Sequence, residues 1–140
     1  MLESRGGLYD LVVADLYCGS GAMGIEAMSR GAAKVYFVDS DPACLAAVKL
    51  NLEPLNFDAE AVFVRAMLPV WSPPDDLDLE LADPPYGPLD LESVLREVTA
   101  KRVMVENDRH MDPPTGWIVT KTKRYGTTLV TMLEPDEGDV

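Results

Sequence analysis

The chain holds two cysteines, one histidine and no long apolar run in its 140 residues. Cys18 and Cys44 are too few for a disulfide framework and lack metal-ligand spacing, so both read as free thiols and no metal is expected. His110 stands alone in a polar stretch and reads as a surface residue. No segment approaches membrane-spanning length, and the N-terminus shows no basic-then-apolar signal pattern. The expected setting is therefore the cytoplasm, with no membrane partner. Basic charge is scarce as well: 12 Lys and Arg stand against 24 Asp and Glu, for a net charge of −12. Phosphate binding needs cationic surface, so this balance argues against nucleic acid for the body as a whole. The scarcity is uneven, however. Lys121, Lys123 and Arg124 form the one tight basic cluster, which reads either as a positive rim or as a solvated strand face. Glu134, Asp136, Glu137 and Asp139 crowd the last residues, and 134–140 reads as a frayed acidic tail.

What is present is the pattern of a single α/β domain over residues 1–140. Leu11–Leu16 is a short apolar run and reads as a buried strand, with glycines following at Gly19, Gly21 and Gly24. Ala22–Ser29 has helical apolar spacing, and Gly31 is a natural stop. A second strand, Lys34–Val38, ends at Asp39. Asp41 caps the next helix, which has Pro42 at its first position and runs to about Leu52. Further strands are expected at Ala61–Val64, Leu77–Ala82 and Arg102–Glu106, and a helix at Leu89–Val98. Pro69–Asp76 and Asn107–Thr115 read as loops. Gly116–Lys123 and Thr127–Leu133, joined through Tyr125-Gly126, read as a closing hairpin. The sum is a mostly parallel seven-stranded sheet, covered on both faces, with a C-terminal antiparallel hairpin.

Two segments carry chemistry. The first is Asp83-Pro84-Pro85-Tyr86, placed directly after a strand. Two consecutive prolines end the strand and leave carbonyls unpaired beside one carboxylate and one flat ring. That set suits holding a planar molecule by its amino group; a proline-rich strand exit with a half-buried tyrosine is the plainer alternative. The second is Cys18-Gly19-Ser20-Gly21-Ala22-Met23-Gly24, which fits G-x-G-x-x-G between strand and helix. Asp39, twenty positions after Gly19, can accept both hydroxyls of a ribose. These features fit a nicotinamide dinucleotide or S-adenosylmethionine. Asp15, four residues before Gly19, favours the latter: a carboxylate there repels a pyrophosphate and attracts an α-amino group.

With these residues in place, the chain resembles the class I S-adenosylmethionine-dependent methyltransferases, with a Rossmann-like fold. The Asp83-Pro84-Pro85-Tyr86 loop resembles that of the branch that methylates exocyclic nitrogens of nucleobases. Asp15 through Gly24, continuing as Ile25-Glu26-Ala27-Met28-Ser29-Arg30-Gly31-Ala32, is similar to the motif of the RsmD family, as is Lys123-Arg124-Tyr125-Gly126-Thr127-Thr128 near the end. The resemblance implies methyl transfer to guanine N2 in 16S rRNA of the small ribosomal subunit, by a monomer. It implies a cofactor site of Asp15, Tyr17, Gly19, Gly21, Asp39, Ser40 and the backbone of Ala66. It implies catalysis at Asp83, Pro84, Pro85 and Tyr86, and substrate contacts from Tyr86, Lys121, Lys123, Arg124 and Tyr125. The usual acid after the third strand is replaced by Arg65, and of the basic N-terminal extension that the resemblance also implies only Met1–Asp10 stand before the first strand. Three other readings stand beside this one: a cofactor-binding module that acts through a partner, a DNA adenine-N6 methylase, and a nicotinamide-dependent oxidoreductase. Trp71 and Trp117 are expected to serve packing rather than base stacking.

Overall fold

The computed structural model describes residues 8–68, 71–82, 101–107, 112–125 and 128–137. The expected helix at Leu89–Val98, the Asp83–Tyr86 loop, His110 and Gly126 lie outside these residues. Chain order is β1 (Val12–Leu16), α1 (Ala22–Ser29), β2 (Lys34–Asp39), α2 (Pro42–Leu52), β3 (Glu60–Arg65), β4 (Leu79–Ala82), β5 (Arg102–Asn107), β6 (Trp117–Tyr125) and β7 (Thr128–Pro135). The sheet order is β3-β2-β1-β4-β5-β7-β6. All pairings are parallel except those of β7, which runs against both β5 and β6. β6 therefore points the same way as β1 to β5, and the C-terminal ends of six strands share one edge. The order reverses between β1 and β4, and such a switch point opens a crevice for ligands at that edge.

The local causes are readable. Gly21 is the N-cap of α1 at φ 84°, a left-handed conformation that glycine takes without strain. At the other end Gly31 N–H donates to Met28 O at 3.0 Å and Ala32 N–H to Ala27 O at 3.1 Å, which is a Schellman stop. Asp41 accepts from Ala43 N–H at 2.8 Å and caps α2, with Pro42 behind it. β4 starts at Leu79 rather than Leu77 because Asp78 makes a different kind of link: its N–H donates to Val12 O, and its carboxylate accepts from Val12 N–H, both at 2.9 Å.

One face of the sheet packs Val13, Val35, Phe37, Leu79, Leu81 and Met104 under α1 and α2. The other face carries Ala14, Leu16 and Val38 on one side and Ala82, Val103, Val105 and Leu133 on the other. Trp71 stands 6.3 Å from Tyr36, and Trp117 packs against the second of these groups, so both tryptophans serve packing. α1 lies close on β2 because Gly24 has no side chain: a Cβ there would clash with Phe37 Cε1 and meet Val35 Cγ1 at 3.0 Å. Gly24→Ala is expected to cost about 1–3 kcal/mol in urea unfolding, because α1 must lift off two buried strand residues.

The acidic tail begins later than expected. Glu134 and Pro135 belong to β7, paired with Ile118 and Trp117, and Asp136 N–H donates to Gly116 O at 2.8 Å. Ladder hydrogen bonds, which a composition-based reading does not register, hold this stretch despite its charge. Among the described residues no helix is long and apolar enough to cross a membrane.

Candidate functional site

The site is built at the C-terminal edge where β1, β2 and β4 end. β1 stops at Leu16, and the chain turns through Tyr17, which has φ 55°, a strained value for a non-glycine residue. Cys18 N–H then donates to Val38 O at 3.2 Å, which ties the glycine loop to the end of β2. Gly19 follows at φ 54°, and a Cβ placed on it would meet nothing within 4 Å. Among the described residues nothing covers its backbone, so a ligand can lie against it. Gly21 is different: a Cβ there would strike Val48 at 2.8 Å, which makes it a packing glycine under the loop. Asn51 of α2 holds the loop from the side, its amide donating to Ser20 O at 2.9 Å.

The loop's amides explain its charge preference. Asp39 accepts from Gly19 N–H at 3.2 Å through one oxygen and from Asp41 N–H at 3.0 Å through the other. Asp15, only 2% exposed, accepts from Gly24 N–H at 3.0 Å. Gly24 is the third residue of α1, so Asp15 reaches across from β1 and caps the helix in place of the side chain that Gly21 lacks. A dinucleotide fold offers such amides to a pyrophosphate. Here two carboxylates already occupy them, and the helix end is neutralised from within. The surrounding field is negative: the buried Cys18 thiol is pushed up to about 12, first by burial and then by Asp15 and Asp39. Cys44, at the start of α2, is also raised, by burial and then by Asp39 and Asp41. A sulfonium and an α-ammonium suit this environment, and phosphates do not.

Two of the expected site residues, Asp15 and Ala66, are hydrogen-bonded within the protein itself. Asp15 sits beneath the loop and bonds to its backbone. Ala66 N–H donates to Asp39 O at 3.1 Å, so the backbone contact expected for adenine is already engaged between β2 and β3. Gly19 and Asp39 come together as expected. Ser40 is exposed beside Asp39, and its carbonyl accepts from Arg65 Nε at 3.3 Å. β4 delivers the chain to the same edge, with Ala82 paired to Leu16 one residue before Asp83. Asp83, Pro84, Pro85 and Tyr86 themselves lie outside the described residues. Lys121, Lys123 and Arg124 are exposed on β6. Tyr125 pairs with Thr128 at the end of the hairpin. Sequence reasoning missed Asn51, whose place against the loop has no local signal.

Comparison with known proteins agrees with this geometry. The family model described as "Conserved hypothetical protein 95" matches residues 1–134. "Putative rRNA methyltransferase YlbH" of Bacillus subtilis is 30% identical over 131 residues, covering 83% of this chain and 71% of that protein. A ribosomal protein L11 methyltransferase of Cellvibrio japonicus is 42% identical over 80 residues, but this chain spans only 26% of its length. Among solved structures, "Putative methyltransferase yhhF" of Escherichia coli has a TM-score of 0.74 at 25% identity, covering 94% of this chain and 81% of that one. The strand order, the glycine loop with its two carboxylates and the match over nearly the whole chain converge: the chain belongs to the RsmD family of methyltransferases and carries their Rossmann-like class I fold.

Proposed function

We propose that this chain transfers a methyl group from S-adenosylmethionine to an exocyclic amine of a nucleobase in ribosomal RNA, with guanine N2 of 16S rRNA as the acceptor. The observation that carries the cofactor half is the occupation of Gly19 and Gly24 N–H by Asp39 and Asp15. It supports a cationic cofactor over a phosphorylated one. The substrate half rests on the family and on the Asp83-Pro84-Pro85-Tyr86 sequence at the exit of β4.

When bound, S-adenosylmethionine supplies an electrophilic methyl group on a positively charged sulfur. The residues of this chain do the rest. Gly19 and Gly21 shape the loop along the methionine part, with Tyr17 at the turn that leads into it. Asp15 keeps that loop rigid and adds negative potential from below. Asp39 and the adjacent Ser40 meet the ribose, using the carboxylate lone pairs that the two backbone N–H groups leave over. Since Ala66 N–H is engaged, Ala66 serves adenine through packing. Asp83 and the Pro84 carbonyl accept the two hydrogens of the target amine, whose lone pair is otherwise delocalised into the ring. Pro85 keeps that carbonyl's loop stiff, and Tyr86 stacks on the base. Positioning and electrostatics then supply most of the rate, because positive charge develops on the nitrogen next to a fixed carboxylate. The base enters splayed out of any helix.

Calorimetric titration tests the cofactor half. S-adenosylmethionine is expected to bind and NAD to give no heat. Binding of NAD would overturn the assignment, and binding of neither would favour a module that acts only with a partner.

A further inference from the structure

β6 is the outer strand of the sheet, and one residue in it decides what its outer half can touch. Residues paired across strands point to the same face. Val119 pairs with Leu133, which pairs with Val103, so Val119 shares the face on which Trp117 packs. Strict alternation would continue that face through Lys121 and Lys123. It does not, because the register shifts between Val119 and Lys121. Thr120 is the extra residue, with its hydroxyl 3.4 Å from Met132 O. Beyond this bulge Lys121 pairs with Met132 and Lys123 with Val130, residues of the opposite face, the one that α1 covers further along the sheet. Bulges commonly re-aim side chains in this way. Here the result is two exposed lysines on one face, two positions and about 7 Å apart. Such a step is comparable to that between successive phosphates of an extended single strand. Arg124, also exposed, pairs with Leu129 and so points to the other face, that of Thr131 and Leu133. Lys121 and Arg124 make no ion pair among the described residues.

The position of this strip is as informative as its charge. Thr122, between the two lysines, lies in one register row with Thr131, Val105 and Ala82, the last residue of β4. The strip is therefore level with the point where β4 opens into Asp83, three strand spacings away, or about 14 Å. On a chain with twice as many acids as bases, these are two of only 12 cations, set two positions apart on one face. A polyanion is repelled by the acidic glycine loop and by most of the body.

We infer that Lys121 and Lys123, re-aimed by the Thr120 bulge, form a phosphate rail for the single-stranded RNA segment that flanks the nucleotide being methylated. This inference rests on the reading of the site as an RNA methyltransferase centre. The rail holds backbone and carries no sequence information, because lysine contacts phosphate as a point charge.

The test measures binding of a short single-stranded oligoribonucleotide to the full chain across a salt series. Lys121→Glu/Lys123→Glu is expected to weaken binding more than tenfold. The slope of log affinity against log salt should flatten by about 1.4, at roughly 0.7 per phosphate contact on single strands. Deleting Thr120 removes the bulge but leaves Lys121 next after Val119 and opposite Met132, so both lysines keep their face and binding should hold, as it should in Thr120→Val. Affinity for S-adenosylmethionine and the thermal midpoint, measured on every variant, establish that each still folds. RNA affinity and salt slope that stay unchanged in the charge-reversed protein, with cofactor affinity retained, overturn the rail and show an edge strand whose lysines only deter pairing with other chains. Failure of the parent chain to bind S-adenosylmethionine overturns the underlying reading instead.

Discussion

Glu80→Leu is expected to stabilise the protein by an amount that grows by about 5 kcal/mol between pH 4.5 and pH 8. Glu80 lies in the middle of β4, paired with Ala14 on one side and Val103 on the other, and is 1% exposed. Its Oε2 has no hydrogen-bond partner among the described residues. Burial alone raises its carboxyl from 4.5 to about 8. The sign follows from proton binding. Between these two values the native chain holds a proton that the unfolded chain has released, so native stability falls as pH rises through the window. Below 4.5 both states are protonated and nothing is lost; above about 8 the cost levels off. At about 1.4 kcal/mol per pH unit the full loss is about 5 kcal/mol. Leucine has nothing to titrate and fits between two apolar clusters, so it removes the slope as well as the burial cost. Urea unfolding of both proteins at pH 5, 7 and 9 checks this. Stability curves that run parallel across pH would mean that the carboxylate is paired, and would refute the assignment.

Asp83→Ala is expected to abolish methyl transfer, a fall of at least about 10²–10³-fold, while leaving affinity for S-adenosylmethionine nearly intact. The cofactor loop is anchored by Asp15, Asp39 and Asn51. The carboxylate acts on the acceptor amine and is needed as charge builds on that nitrogen, so its loss should lower turnover and spare cofactor binding. Asp83→Asn keeps an acceptor oxygen and loses the charge, so it should fall between the two. Single-turnover transfer, with calorimetry on the same preparations, separates the effects. Turnover unchanged in the alanine variant would remove Asp83 from the chemistry.

Much of this fold could be read from local pattern. Gly21, Gly31, Asp41 and Pro42 act within one turn of their own positions, and α1 occupies the residues that periodicity marks. What escaped sequence reasoning depends on partners far along the chain. Leu79-Glu80-Leu81 alternates like a strand with one wet face, yet both faces are covered and Glu80 is buried. Asp15 reads as a ligand for an amine, but its carboxylate is nine residues from the amide that takes it. Ala66 looks available until the β2–β3 register engages its N–H. The bulge at Thr120 inserts no glycine or proline into Trp117–Tyr125, and only the register against β7 reveals it. The site's residue types were legible; the hydrogen bonds that divide them between scaffold and ligand were not.

The most direct test is to incubate the full chain with S-adenosylmethionine labelled in its methyl group and small-subunit ribosomal RNA, then digest the RNA to nucleosides. The account predicts that the label is recovered as N2-methylguanosine. Label on a ribose or a ring nitrogen, label found only on protein, or no label from a chain that binds the cofactor would contradict it.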